Sequence, residues 1–393
     1  MTPAARVQSA IDLLDAVIAA ARSGGASADR VASEWLRARR FIGSKDRRAI
    51  RDLVWAAIRA CGEVPNTGRA AMLRLAQGDA ALAALFDGSR YGPAGIAPGE
   101  PVADGGVAPG WLVEALDASG IDEAERKALL TRAPLDIRAN TLKTSRDALR
   151  LRLPAPSSEV VAPQGLRLDT GAAAETWPEY AEGLFEVQDA GSQLTCEAFA
   201  AKPGETIVDL CAGAGGKTLA LGAAMANSGR LIACDIDRAR LSRLPERATR
   251  AGVRAETRLL DPGKERVGLS DLISACDGVL VDAPCSGTGT WRRNPEARWR
   301  LSPKAIARYA QMQAGVLDVA ADLVRPGGRM LFIVCSLLDA EGAERIDAFL
   351  GRHRDWRAEG PACPIGKPRG KGWRLTPGAD RTDGFFFASL RRL

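Results

Sequence analysis

Histidine is almost missing from this 393-residue chain: His353, in "GRHRDW", is the only one. One imidazole cannot supply a Ser-His-Asp relay, an H-E-x-x-H zinc motif or a His-rich metal cluster, so those chemistries are set aside and no metal site is expected. The eight cysteines (Cys61, Cys196, Cys211, Cys234, Cys276, Cys285, Cys335 and Cys363) include no C-x-x-C pair, and thiols scattered in this way are expected to be free. No apolar run reaches the length of a membrane span, and the opening "MTPAARVQSAIDLLDA" does not read as a signal peptide. The expectation is a cytoplasmic protein without membrane partners. Its chemistry must come from Cys, Asp, Glu, Lys, Arg or Tyr.

What is there begins with size and charge. A chain of 393 residues is longer than one core usually needs, so two or three domains are expected. The net charge of +6 makes a polyanion partner plausible. From Arg30 to Arg59 there are nine Lys or Arg against three acids, and from Arg292 to Arg308 six against one. The ordinary reading of either cluster is a solvated helix face.

Val7, Ile11, Leu14 and Ile18 stand at helical spacing before Gly24-Gly25, which predicts an amphipathic helix. The stretch after it continues with helical periodicity, with a break at Gly43-Ser44 where Ser44 is placed to cap the next helix. The N-terminal part thus reads as a small helical domain with a basic face. Between Tyr91 and Gly110, six Gly and four Pro in twenty residues predict a linker or long loop. "APLDIRANTLK" has turn and strand character. After about residue 200 the pattern becomes short apolar runs, "TIVDL", "RLIACD", "DGVLVD" and "RMLFIVCS", separated by helix-like segments. That alternation predicts an α/β domain with a parallel sheet covered on both faces, a Rossmann-like arrangement.

The first of these strands runs into "DLCAGAGGKT", Asp209 to Thr218. A P-loop requires glycine where Cys211 stands, and a dinucleotide fingerprint requires glycine where Thr218 stands, so both fail. A glycine turn remains, followed by Asp235, twenty-two residues after Gly213, where a carboxylate can accept from ribose hydroxyls. This suits S-adenosylmethionine. Asp282 and Cys285 follow another strand end, and Cys335 ends a third, so both thiols can face one crevice. A methyl donor with thiols fits pyrimidine C5, which is too weak a nucleophile until a thiolate adds at C6; a carboxyl such as Asp282 would stabilise the charge that develops. Spacing alone does not say which thiol attacks.

Several motifs carry a resemblance. "DAPCSGTGTWRRNPEARW", "VCSLLDAEG", "VDLCAGAGGKT", "YAEGLFEVQDAGSQL" and "DGFFFASL" are similar to motifs of the RNA cytosine-C5 methyltransferases of the NOL1/NOP2/Sun family. "LDIRANTLK" resembles that family's RNA-binding insertion, and "GSKDRRAIRDLVWAAIR" a NusB-like helical RNA-binding domain. The resemblance covers most of the chain. It implies a NusB-like α-helical domain over 1–130, abbreviated around 91–110, an RNA-binding α+β subdomain over 131–195, and a class I S-adenosylmethionine-dependent methyltransferase domain over 196–393. It implies Cys335 as nucleophile, Cys285 as the thiol that helps release product, and Asp282 beside the base. Cys211, Ala212, Gly213, Ala214, Gly215, Gly216, Lys217, Asp235, Asp261 and Asp282 would contact the cofactor. The family's motif has Ala-Pro where this chain has Gly213-Ala214, so the turn lacks a proline restraint. The implied partner is RNA, 16S rRNA first and tRNA next, and not DNA, with the protein acting as a monomer. A catalytically silent RNA-binding assembly factor and a NAD-dependent enzyme are the alternatives of other classes.

Overall fold

A computed structural model describes residues 1–393. The chain divides into two compact units, one formed by residues 1–131 with 291–302, the other by 132–290 with 303–393. No helix is long and apolar enough to cross a membrane.

In the first unit, helix α1 (Pro3–Arg22) starts because the Thr2 hydroxyl accepts from Ala5 N–H at 3.2 Å and Pro3 occupies the first turn, where its missing N–H costs nothing. Its buried stripe of Val7, Ile11, Leu14 and Ile18 packs with α2 (Ala28–Ala38), α3 (Ser44–Ala60) and α4 (Gly68–Ala76) in one core. Ser44 does not cap α3: it is the first helical residue, and Gly43 takes the cap position without a side-chain bond. Residues 91–109 form neither helix nor strand. Arg69 Nη2 donates to Glu100 at 2.9 Å and pins that stretch against α4.

The segment 291–302 overturns the reading of its charge as a solvated face. Trp291 and Arg298 are fully buried, and Trp299 belongs to the helical core. Arg298 Nη2 donates to the carbonyls of Ile58 and Cys61, each at 2.7 Å, so its donors cap the carboxyl end of α3. Arg300 donates to Gly25 O at 2.9 Å and Ala26 O at 2.6 Å, and the Glu296 carboxylate accepts from Ala28 N–H at 2.8 Å at the start of α2. These charged groups work as helix caps within the unit.

In the second unit, β1 (Leu135–Ala139), β2 (Ser157–Glu159), β3 (Gly165–Leu168) and β4 (Phe185–Val187) form an antiparallel sheet in the order β2-β3-β1-β4. Asp136 on β1 is buried and receives Arg167 through two bonds of 2.7 and 2.8 Å. The larger sheet contains β5 (Thr206–Asp209), β6 (Arg230–Asp235), β7 (Glu256–Leu259), β8 (Cys276–Asp282), β9 (Val324–Val334), β10 (Trp356–Glu359), β11 (Lys367–Arg369), β12 (Gly372–Leu375) and β13 (Phe385–Arg392). Its order is β11-β12-β13-β9-β8-β5-β6-β7, with β10 paired to β13.

Strands β5 to β9 are parallel, as expected from their apolar runs. The sheet as a whole is mixed, because β13 runs antiparallel to β9, Phe386 opposite Val334 and Leu390 opposite Met330. The parallel sheet expected from the four apolar runs is present, and the antiparallel strands are additions to it. Direction here is set by the hairpin-rich path through β10 to β12, which composition does not reveal. β7 was not anticipated either: "ETRL" is an exposed edge strand without an apolar run. The chain leaves β5 toward β6 on one side and β8 lies on the other, which makes the carboxyl end of β5 the point where strand order reverses. Open α/β sheets bind ligands at such a point.

Candidate functional site

The turn after β5 is built from backbone. Gly213 and Gly215 have φ of +55° and +86°, the left-handed region that side-chain-bearing residues avoid. A Cβ on Gly215 would also lie 2.1 Å from Leu244 Cδ1. The helix Gly216–Ala224 follows, and a Cβ on Gly216 would meet nothing within 4 Å, so backbone faces open space at the helix start. Asp235, at the end of β6, fixes the turn: one carboxylate oxygen accepts from Gly213 N–H and the other from Asp237 N–H, both at 2.7 Å. Asp261 lies two residues beyond β7 and is exposed at the same sheet edge. Beneath the turn, Asp209 is fully buried and accepts from the Thr218 hydroxyl at 2.6 Å. Burial pushes its carboxyl up to about 7, with Asp282 and Asp235 adding to the rise against the Thr218 bond and Lys217.

Lys217 turns from the first turn of that helix to Asp282 at the end of β8, Nζ to Oδ2, at 2.6 Å. Burial works against the ammonium, but Asp282 together with Cys196 and Cys335 outweighs it and holds the lysine above its ordinary range. Asp282 keeps a third of its side chain exposed. Its carboxylate therefore remains accessible while paired.

The two thiols meet through sheet register. In the β8–β9 ladder Asp282 stands opposite Ile333, so Cys285, three residues past the first, and Cys335, two past the second, emerge from neighbouring parallel strands. Their sulfurs are 3.4 Å apart. The bond to Cys335, then burial and the charges of Cys335 and Glu341, hold the Cys285 thiol well above the ordinary thiol range. Either thiol can donate to the other across this distance. Cys61, Cys196, Cys234 and Cys276 differ in kind: burial pushes them up to about 11, 11, 12 and 12, and they are inert packing groups. Burial and the surrounding carboxylates likewise push Cys211 up. It is a turn residue and not a second reactive thiol.

A buried hydrogen-bond cluster behind the thiols went unread in the sequence. Ser286 and Ser336, each directly after one of the cysteines, both donate hydroxyls to Glu341, the latter at 2.6 Å. The sequence signals for it were the small polar residues after both cysteines and Glu341 within "VCSLLDAEG".

A sequence model of the family described as 16S rRNA methyltransferase RsmB/F matches residues 196–391. A relative from Salmonella typhi, named ribosomal RNA small subunit methyltransferase B, is 35% identical over 292 residues, which cover 72% of this chain. The chain belongs to the RsmB/F family. The match spans 66% of that relative's length, slightly under two thirds. Among solved structures, the crystal structure of PH0851 covers all of both chains at 24% identity with a TM-score of 0.76, a likeness of fold. A methyltransferase homolog protein from Pyrococcus horikoshii aligns with 72% of this chain and 99% of its own at 26% identity, TM-score 0.61. The fold is that of class I S-adenosylmethionine-dependent methyltransferases, and S-adenosylmethionine is the cofactor of the family. The residues present fit it: an open helix start for its amino-acid end, and the Asp235 and Asp261 carboxylates at the edge where a ribose would lie.

Proposed function

We propose that the chain is an S-adenosylmethionine-dependent methyltransferase acting on C5 of a cytosine in RNA, with 16S rRNA as substrate. The observation that carries this is the pair of sulfurs 3.4 Å apart beside the Lys217–Asp282 pair. When bound, S-adenosylmethionine supplies an electrophilic methyl group. The protein's task is to make C5 nucleophilic.

In this reading the Cys335 thiolate adds to C6 of the ring and density moves onto N3 and O2. Asp282, held by Lys217, faces that edge, where the pair offers a proton and a counter-charge. C5 is then an enamine carbon and takes the methyl group. Its proton leaves to water, the Cys335–C6 bond breaks, and the ring regains its double bond. Cys285, whose sulfur lies 3.4 Å away, gives a proton to the departing sulfur. The roles of the two thiols rest on the family resemblance, and the short sulfur–sulfur distance supports a proton passing between them.

The helical unit is proposed as the RNA-binding module, NusB-like in role. Arg37, Arg40, Lys45 and Arg48 are exposed around the α2–α3 turn, and Phe41 among them is 79% exposed. Cations with an uncovered ring provide phosphate neutralisation and base stacking.

Mapping 5-methylcytosine in 16S rRNA and tRNA, with and without the gene, tests the proposal. One 16S cytosine losing its methyl group on deletion, and regaining it with the wild-type gene but not with Cys335→Ala, is the expected result. Unchanged maps in both RNAs would overturn it, and loss in tRNA alone would move the substrate.

A further inference from the structure

Glu341 is a fully buried acid, and no lysine or arginine pairs with it. Its oxygens are satisfied by neutral hydrogen-bond donors alone. Oε1 accepts from Ser286 N–H at 2.8 Å and from Gln313 Nε2 at 3.3 Å; Oε2 accepts from the Ser286 hydroxyl and, at 2.6 Å, from the Ser336 hydroxyl. Gln313 also holds Pro284 O at 3.0 Å, on the residue before Cys285. Thr288 completes the cluster, with its hydroxyl 3.0 Å from that of Ser336 and accepting from Leu337 N–H at 2.9 Å.

Burying a carboxylate without a cation is costly, and packed apolar groups of the same volume often give equal or better stability. What an apolar group cannot do is take donors from two loops at once. The donors here come from the residues next to each cysteine, fifty positions apart in the chain. We infer that Glu341 is a positioning residue, a clamp that holds the Cys285 and Cys335 loops in one register so that both sulfurs address the same ring atom. The inference rests on the proposed thiol chemistry for its purpose, but the clamp itself can be tested without substrate.

The test compares wild type with Glu341→Gln and with the double variant Ser286→Ala/Ser336→Ala, which removes both hydroxyl donors and little volume. A bifunctional bimane that bridges two adjacent thiols is added to the full-length protein, and bridged peptides are identified by mass. Bridging of Cys285 to Cys335 should fall severalfold in both variants. In methyl transfer to RNA, kcat should fall roughly a hundredfold, as expected for misplacing a reacting group by about 1 Å. KM for RNA and S-adenosylmethionine should stay within about twofold, since neither loop makes the cofactor turn. Glu341→Asp should restore part of kcat. Bridging equal to wild type in both variants would overturn the clamp, as would a loss of kcat matched by the same loss of cofactor binding. If bridging falls as expected but the wild type makes no 5-methylcytosine, the clamp stands and the proposed function fails.

Discussion

After β5 the chain turns through Gly213 and Gly215 with positive φ, and the Asp235 carboxylate ties the turn down by its backbone N–H. After β8 and β9 the chain turns through Cys285-Ser286 and Cys335-Ser336, and there side chains do the holding, hydroxyl to carboxylate. Both regions stand at the carboxyl edge of one sheet. The first has the form of a binding surface, where bare backbone must approach a ligand. The second has the form of a reacting centre, where two groups must be aimed. The difference teaches that one sheet edge can carry two tolerances: the cofactor turn is sensitive to a Cβ added at Gly213 or Gly215, and the thiol loops are sensitive to the loss of a single acceptor.

Gly215→Ala separates the two most sharply. The added methyl meets Leu244 and forces a left-handed alanine, a cost of about 1–2 kcal/mol. The free turn relaxes away from this strain and binding must restore it, so calorimetric titration should show S-adenosylmethionine binding weaker by roughly tenfold, about 1.4 kcal/mol, while bimane bridging of Cys285 to Cys335 stays at the wild-type yield. Bridging lost together with cofactor binding would mean that the two regions are one mechanical unit.

Asp209→Asn is the smaller perturbation, directed at the acid beneath the cofactor turn. The carboxyl of Asp209 has an ordinary value of 3.8 and is raised to about 7 in the folded protein. The folded state therefore binds the proton more tightly than the unfolded state, and stability declines as pH rises. That contribution is complete below about pH 4 and is lost as pH rises through about 7. Urea unfolding at a series of pH values should show this decline in wild type and a flatter curve in Asp209→Asn. Equal slopes would show that Asp209 is ionised throughout.

Much of the larger sheet was legible because buried parallel strands write themselves as apolar runs: Arg230–Asp235 occupies the expected residues. The edge strand β7 was not, since it lacks an apolar run, and the C-terminal strand β13 could be placed by its resemblance but not given a direction, which a distant excursion sets. Charge counting misled most. The arginines around Phe41 and those of residues 291–302 look alike in composition, yet the first group is solvated while Arg298 is buried in a core. Guanidinium donors can be satisfied by helix-end carbonyls, so a run of arginines does not by itself report exposure. In the candidate site, the glycine turn, the acids and the thiols could be located by motif, and their meeting required the register of β8 and β9. Glu341 stood inside the motif "VCSLLDAEG", but nothing there marked it as buried, because a buried acid and a surface acid are the same letter.

The most direct test of the central claim is covalent. Wild type, Cys335→Ala and Cys285→Ala are each mixed with substrate RNA and S-adenosylmethionine, and the products are resolved under denaturing conditions. The account predicts no adduct and no methyl transfer with Cys335→Ala, and a protein–RNA adduct that accumulates with Cys285→Ala. An adduct formed by Cys335→Ala, or methyl transfer surviving in it, would contradict the account.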